Sequence, residues 1–242
     1  MRDGSWSTPD RGGVPDRALP HGRCSDLAGS DPRTIYLIRH PESDGNREGR
    51  LQGHLDSPLS ELGMLQGQRL RERFAPVEFS ALYASSLARC RLVADLLAQD
   101  KGIAPRYLEG LKERSYGAWA QLTLAEANRR FPAERERVRT DPYAAPPGGE
   151  SAVEVWDRVQ DSWGEILRAG HDRLVVVSHA GTLVTLLGSL IGLPRETPWG
   201  AYPFRLANAG VSMVEIGGWG TRAAIHLLND TCHLEGLPLG AG

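Results

Sequence analysis

Residues 35–56, IYLIRHPESDGNREGRLQGHLD, decide the fold. Ile35-Tyr36-Leu37-Ile38 is an apolar run of strand type. It stops abruptly at Arg39-His40, and the next segment is polar, with Ser43, Asn46, Arg47, Arg50, Gln52 and Gly53. An Arg beside a His at the carboxyl end of a buried strand is poor core chemistry. It suits an anion site, because a guanidinium clamps phosphate oxygens with paired donors and a neutral imidazole can attack phosphorus. Far along the chain, LVVVSHAGT (174–182) repeats the design with His179. Two histidines, each following an apolar strand, are expected to meet at one site.

Outward from that stretch, helix and strand patterns alternate. Thr34–Ile38 reads as the first strand. Ser60 is placed to cap a helix to about Phe74, with Leu62, Leu65, Leu70 and Phe74 near one face, ended by Ala75-Pro76. Ser80–Ala84 reads as a strand, and Ser86 as the cap of a helix carrying Leu87, Val93, Leu96 and Leu97. Pro105–Leu108 is a short strand. Residues 122–138 give two charged helical pieces broken at Pro132, and 141–150 (DPYAAPPGGE) a loop. A helix beginning near Ser151 puts Val155, Trp156, Val159, Trp163, Ile166 and Leu167 on its apolar face. Leu174–Val177 is a buried strand and Gly181–Ile191 a helix. Val211–Ile216 and Arg222–Leu228, joined through GGWGT, read as an antiparallel hairpin. The alternation implies an α/β fold, a three-layer α/β/α sandwich around a mainly parallel sheet. His40 and His179 then share its carboxyl edge, where ligands bind in open α/β sheets.

The ends read differently. Residues 1–32 are rich in Gly, Pro, Asp, Ser and Arg without hydrophobic periodicity, and are expected to be a disordered or loosely packed extension. The domain is placed at 33–230 and a Gly/Pro-rich tail at 231–242. The net charge of −2 gives no field arguing for nucleic acid or membrane binding, and no window is apolar for long enough to span a bilayer. No apolar signal core opens the chain. Cys24, Cys90 and Cys232 are scattered and expected to be reduced, in a cytoplasmic protein. His54, His171, His226 and His233 show no metal-ligand spacing, and no P-loop or dinucleotide fingerprint appears, so no metal or cofactor is expected. A homo-oligomer is left open.

The motifs together resemble the histidine phosphatase superfamily, which includes the cofactor-dependent phosphoglycerate mutases. Its pattern of Arg-His-Gly, Asn, Gly-Arg-x-Gln-Gly and Asp-x-Pro-Leu-Thr-x-x-Gly is met here by RHPES, Asn46, GRLQG (49–53) and DSPLSELG (56–63). The resemblance runs from about Thr34 to Leu228. It implies His40 as the nucleophile that forms a phosphohistidine, with Arg39 and Arg89 (in LYASSLARCRLVADLL) as phosphate clamps. His179 would lie across the phosphate and, if protonated, add a third cation. The N–H groups of Ala180 and Gly181 open a helix, which favours an anion there. LEGLKERSYGAWA resembles the family's Leu-x-Glu-x-x-x-Gly-x-Trp-Glu-Gly, and that match through Gly117 and Trp119 implies Glu113 as the general acid, with Glu109 as its competitor. Asn46, Ser43, Arg50, Gln52 and Gly53 are placed on phosphate or substrate; Arg50 is read alternatively as holding the loop. Glu150 is read as near the site or as part of a helix cap, Asn208 as structural and Arg91 as a solvated helix residue.

Two departures stand out. Ala120-Gln121 replaces the family's Glu-Gly, which bears on the local turn. Pro41 replaces the Gly after the nucleophile; a proline fixes φ and removes a donor, so it either stiffens the loop harmlessly or displaces His40. The expected activity is a phosphatase acting on a small-molecule phosphomonoester. A phosphoglycerate mutase uses the same core, but such mutases usually carry a longer basic insert after the acid, and this chain has none. A low-turnover phosphate-ester binding protein is the third reading, against which stand all five retained core residues.

Overall fold

The computed structural model describes residues 32–99, 101–217 and 223–238. The expected N-terminal extension and most of the GGWGT connection lie outside them. In chain order the elements are β1 (Arg33–Arg39), α1 (Asp44–Arg47), α2 (Glu61–Phe74), β2 (Ala81–Ser85), α3 (Ala88–Ala98) and β3 (Arg106–Leu108). They continue with α4 (Leu124–Arg130), α5 (Pro132–Thr140), α6 (Ala152–Arg168), β4 (Arg173–Ser178), α7 (Ala180–Leu190), β5 (Val211–Ile216) and β6 (Ala224–Asp230).

The six strands form one sheet in the order β3-β2-β4-β1-β5-β6. The first four run parallel; β5 and β6 are antiparallel at one edge. Arg222, the expected start of the second hairpin strand, lies outside the described residues; β6 runs on to Asp230, two residues past the expected Leu228, and the β5–β6 register slips on either side of Met213. Strand residues alternate between two cores, as a period of two requires. Ile35, Leu37, Leu174 and Val176 pack with Val155, Val159 and Ile166 of α6 and Leu183 and Leu187 of α7. Ile38, Val175 and Val177 pack on the other face with Leu70 and Phe74 of α2 and Val93 and Leu97 of α3. This is the three-layer α/β/α sandwich.

Local chemistry explains most helix starts. Ser60 and Ser151 accept from the backbone N–H groups of Gly63 and Glu154, and Glu154 completes a capping box. Ser86 does not cap α3. Leu87 is the N-cap residue without a side-chain bond, and Asp56, from a loop 32 residues earlier, accepts from Ala88 N–H at 3.0 Å. The apolar face expected for α2 also shifts: Leu65 is exposed, and Gly63, Gln66, Gly67, Leu70 and Phe74 face inward. Gln121 occupies the left-handed region (φ 66°), so the turn survives with a residue that tolerates it less well than glycine. Within the expected tail, Cys232–Leu234 form a 3-10 turn and Leu234 packs against the second core.

Candidate active site

Parallel pairing of β1 with β4 sets Arg39 opposite Ser178, and His40 N–H donates to Ser178 O at 2.9 Å. The next residue on each strand is a histidine, so the His40 and His179 rings lie 5.0 Å apart. Arg89 reaches them from the first turn of α3, and Glu113 from the loop after β3. His40, Arg39, Arg89, Glu113 and His179 are all buried.

The hydrogen bonds fix the protons. His40 Nδ1 lies 2.7 Å from Pro41 O, which can only accept, so Nδ1 carries the proton and Nε2 presents the lone pair. Burial, then the charges of Arg89 and Arg39, hold the His40 pKa well below 6.5, which keeps the ring neutral. Pro41 therefore supplies the carbonyl that orients His40, and the amide proton it lacks is not the one that does so. We predict that Pro41→Gly leaves kcat/KM within about threefold of wild type, since the acceptor is unchanged; steady-state kinetics checks this.

His179 is neutral too. Arg89 Nε–H donates to its Nδ1 at 3.2 Å, so Nε2 holds the proton and donates to Ser85 Oγ at 2.7 Å. Its pKa is pushed well below 6.5 by burial, then by Arg89, His40 and Arg39. The third cation considered from the sequence is thus not present in this arrangement. Cys90 Sγ lies 3.4 Å from His179 Nε2, but burial pushes its thiol up to about 12, so it offers no thiolate.

Both histidines gain protons on unfolding below about pH 6.5. Their folded pKa values are depressed, so the stability they contribute is complete above that pH and is lost as pH falls. Each adds a slope of about 1.4 kcal/mol per pH unit in the acid window. Urea-unfolding free energies at pH 7.5 and 5.5 should fall less steeply in His179→Asn than in wild type.

The arginines differ in freedom. Arg89 donates to Gly53 O (2.8 Å), Leu55 O (3.0 Å) and His179, which leaves two of its five N–H groups. Arg39 Nη1 donates to Leu206 O, but its buried Nε has no hydrogen-bond partner among the described residues. An unpaired buried guanidinium N–H is costly unless an anion meets it.

Glu113 Oε1 accepts from Arg114 N–H (2.9 Å) and Oε2 from Gly181 N–H (3.2 Å). The helix N-terminus expected to receive phosphate through Gly181 therefore faces this carboxyl group. Glu109 is exposed and pairs with Lys112.

The loop after His40 is tied together by amides. Ser43, the N-cap of α1, places Oγ 2.9 Å from both Asn46 Oδ1 and Gln52 Oε1. Asn208 Nδ2 donates to His40 O (3.0 Å) and Asn46 Oδ1 (3.1 Å). Asn46 thus uses its oxygen internally and keeps Nδ2 as its donor. Gly53 adopts φ 57°, and its carbonyl anchors Arg89. Arg50 is directed elsewhere: it bonds Glu48 and Gln121 O, holding the loop. Ser85 and Asn208 were the harder partners to read; Ser85 ends a strand at the same sheet edge, which was the available signal. Among the described residues no group of three or more His, Cys, Asp or Glu could hold a metal, and no helix is long and apolar enough to cross a membrane.

The sequence model of the histidine phosphatase superfamily (branch 1) matches residues 35–231. Phosphoserine phosphatase 1 of Hydrogenobacter thermophilus is 31% identical over 202 residues, covering 83% of this chain and 93% of its own. The relative named "Probable phosphoglycerate mutase GpmB" of Proteus mirabilis is 31% identical over 218 residues, covering 85% and 96%. Among solved structures, a mycobacterial glucosyl-3-phosphoglycerate phosphatase superposes with a TM-score of 0.73 at 28% identity, over 83% of this chain and all of that one. The chain belongs to the histidine phosphatase superfamily. Within it, the chain is a phosphatase.

Proposed function

We propose that this phosphatase hydrolyses a small phosphorylated metabolite through a phosphohistidine on His40. His40 Nε2 attacks phosphorus as the bond to the ester oxygen breaks, and Glu113 gives that oxygen its proton. Water then attacks the phosphohistidine, Glu113 takes the water's proton, phosphate leaves, and His40 returns neutral. Arg39 and the remaining N–H groups of Arg89 meet the charge on the equatorial oxygens. The observation that carries this reading is the Pro41 carbonyl on His40 Nδ1, which leaves the Nε2 lone pair free on a ring that feels the charges of Arg89 and Arg39.

The mutase-named relative favours one alternative, return of the phosphoryl group to a bound phosphoglycerate. Phosphate release is to be measured over a panel of phosphomonoesters containing phosphoserine, 3-phosphoglycerate and glucosyl-3-phosphoglycerate, with a chelator present. Reactions with 3-phosphoglycerate are also assayed for the 2-isomer. Release of phosphate is the expected result. Isomerisation without release would make the chain a mutase, and turnover that vanishes with the chelator would overturn the metal-free scheme.

A further inference from the structure

Arg158 lies on α6, far in sequence from the catalytic acid, yet all its donors converge there. Nη1 donates to Gly110 O (2.9 Å) and Lys112 O (2.8 Å), and Nη2 to Glu113 O (3.1 Å). Nε and Nη2 also bond the two carboxylate oxygens of Glu150, at 2.7 and 3.0 Å. Five contacts use all five guanidinium N–H groups. Glu150 extends the clamp: its carboxylate accepts from Ser115 N–H (2.7 Å), and its backbone O from Arg114 Nε (2.8 Å). From the opposite side, Ser178 Oγ donates to Leu111 O and Thr182 Oγ1 to Lys112 O. The segment 110–115 is thus held between α6 on one side and the end of β4 with the start of α7 on the other.

The Glu113 carboxylate itself is met by backbone N–H groups, those of Arg114 and Gly181. Its position follows the main chain that Arg158 grips. We propose that Arg158 and Glu150 are positioning residues that aim the Glu113 carboxyl at the leaving-group oxygen. Proton delivery then depends on a charged pair outside the phosphate site. The inference rests on the reading of Glu113 as the general acid.

The test separates a misplaced acid from a loosened fold. 4-Nitrophenyl phosphate and phenyl phosphate have nearly the same shape, but phenolate is much the more basic leaving group and needs the proton more. kcat/KM ends at formation of the phosphohistidine, so the later attack by water does not enter. Glu113→Gln is expected to cost phenyl phosphate about a hundredfold and the nitrophenyl ester much less. Arg158→Lys keeps a charge for Glu150 but cannot span three carbonyls. It and Glu150→Gln are each expected to show the same skew, about tenfold, with little further loss when combined with Glu113→Gln. If Glu113→Gln is skewed while Arg158→Lys and Glu150→Gln lower both substrates equally, or neither, the pair does not position the acid. If Glu113→Gln itself shows no skew, the acid assignment fails and the proposal falls with it. Thermal midpoints of all variants, read alongside, report the structural share separately.

Discussion

Replacing His40 with alanine should lower kcat/KM for a phosphomonoester by about 10⁵-fold. The size follows from the lack of a substitute near the phosphorus. The lone pair of His179 is on Nδ1, where it accepts from Arg89, and Nε2 is protonated toward Ser85. The Cys90 thiol, pushed up to about 12, stays protonated at neutral pH. What remains in the variant is binding and the electrostatic pull of the arginines on a direct attack by water. Acid–base stability of the trapped label provides a second readout. Wild type, denatured during turnover of a labelled substrate, should hold phosphate that is stable to base and released by acid, and His40→Ala should hold none. Label retained by His40→Ala would move the nucleophile to another residue.

The sheet and its carboxyl edge were readable because apolar runs of four residues ended in polar pairs. That pattern located β1 and β4, and parallel pairing then had to bring His40 and His179 together. Residues whose partners are remote were not readable. Arg158 stands between Val155 and Val159 on an amphipathic helix, where an Arg looks like a boundary charge; its three carbonyl partners lie more than 40 residues upstream. The missed cap of α3 has the same cause. Ser86 has the right chemistry for a cap, but the carboxylate of Asp56 arrives from a loop and takes the first N–H. Leu65 was assigned inward from its apolar character, whereas α2 turns its glycines inward because the helix must pass close to the loop after His40. Proton placement on His40 also required coordinates, since only the position of the Pro41 carbonyl distinguishes the two tautomers.

That close passage makes Gly63→Ala a substitution expected to harm folding severely. A Cβ built on Gly63 would lie 1.9 Å from Glu42 O and 2.9 Å from Glu42 C. The obstacle is main chain, so no side chain can swing aside. Moving α2 away would also break Ser60 N–H to Glu42 O (3.0 Å), Ser60 Oγ–H to Glu42 Oε1 (2.7 Å) and Glu42 N–H to Gln66 Oε1 (2.8 Å). Overpacking and lost buried hydrogen bonds together should cost about 3 kcal/mol or more. For a chain of this size that lowers Tm by about 6–12 °C. Gly67, one turn further along the same buried face, is the control. Its Cβ would meet only Leu96 Cδ2 at 3.7 Å and Pro41 Cγ at 4.0 Å, ordinary van der Waals contact. Gly67→Ala should therefore be neutral or stabilising by about 0.5 kcal/mol through helix propensity. Calorimetry on the pair distinguishes a backbone collision from general sensitivity of α2. Activity should follow the same division. Glu42 adjoins Pro41, whose carbonyl holds His40 Nδ1–H, so displacement of Glu42 releases the ring proposed to attack phosphorus. Gly63→Ala should lose kcat/KM even at temperatures where it remains folded, whereas Gly67→Ala should retain it; equal activity in the two would mean that α2 supports the fold without orienting His40.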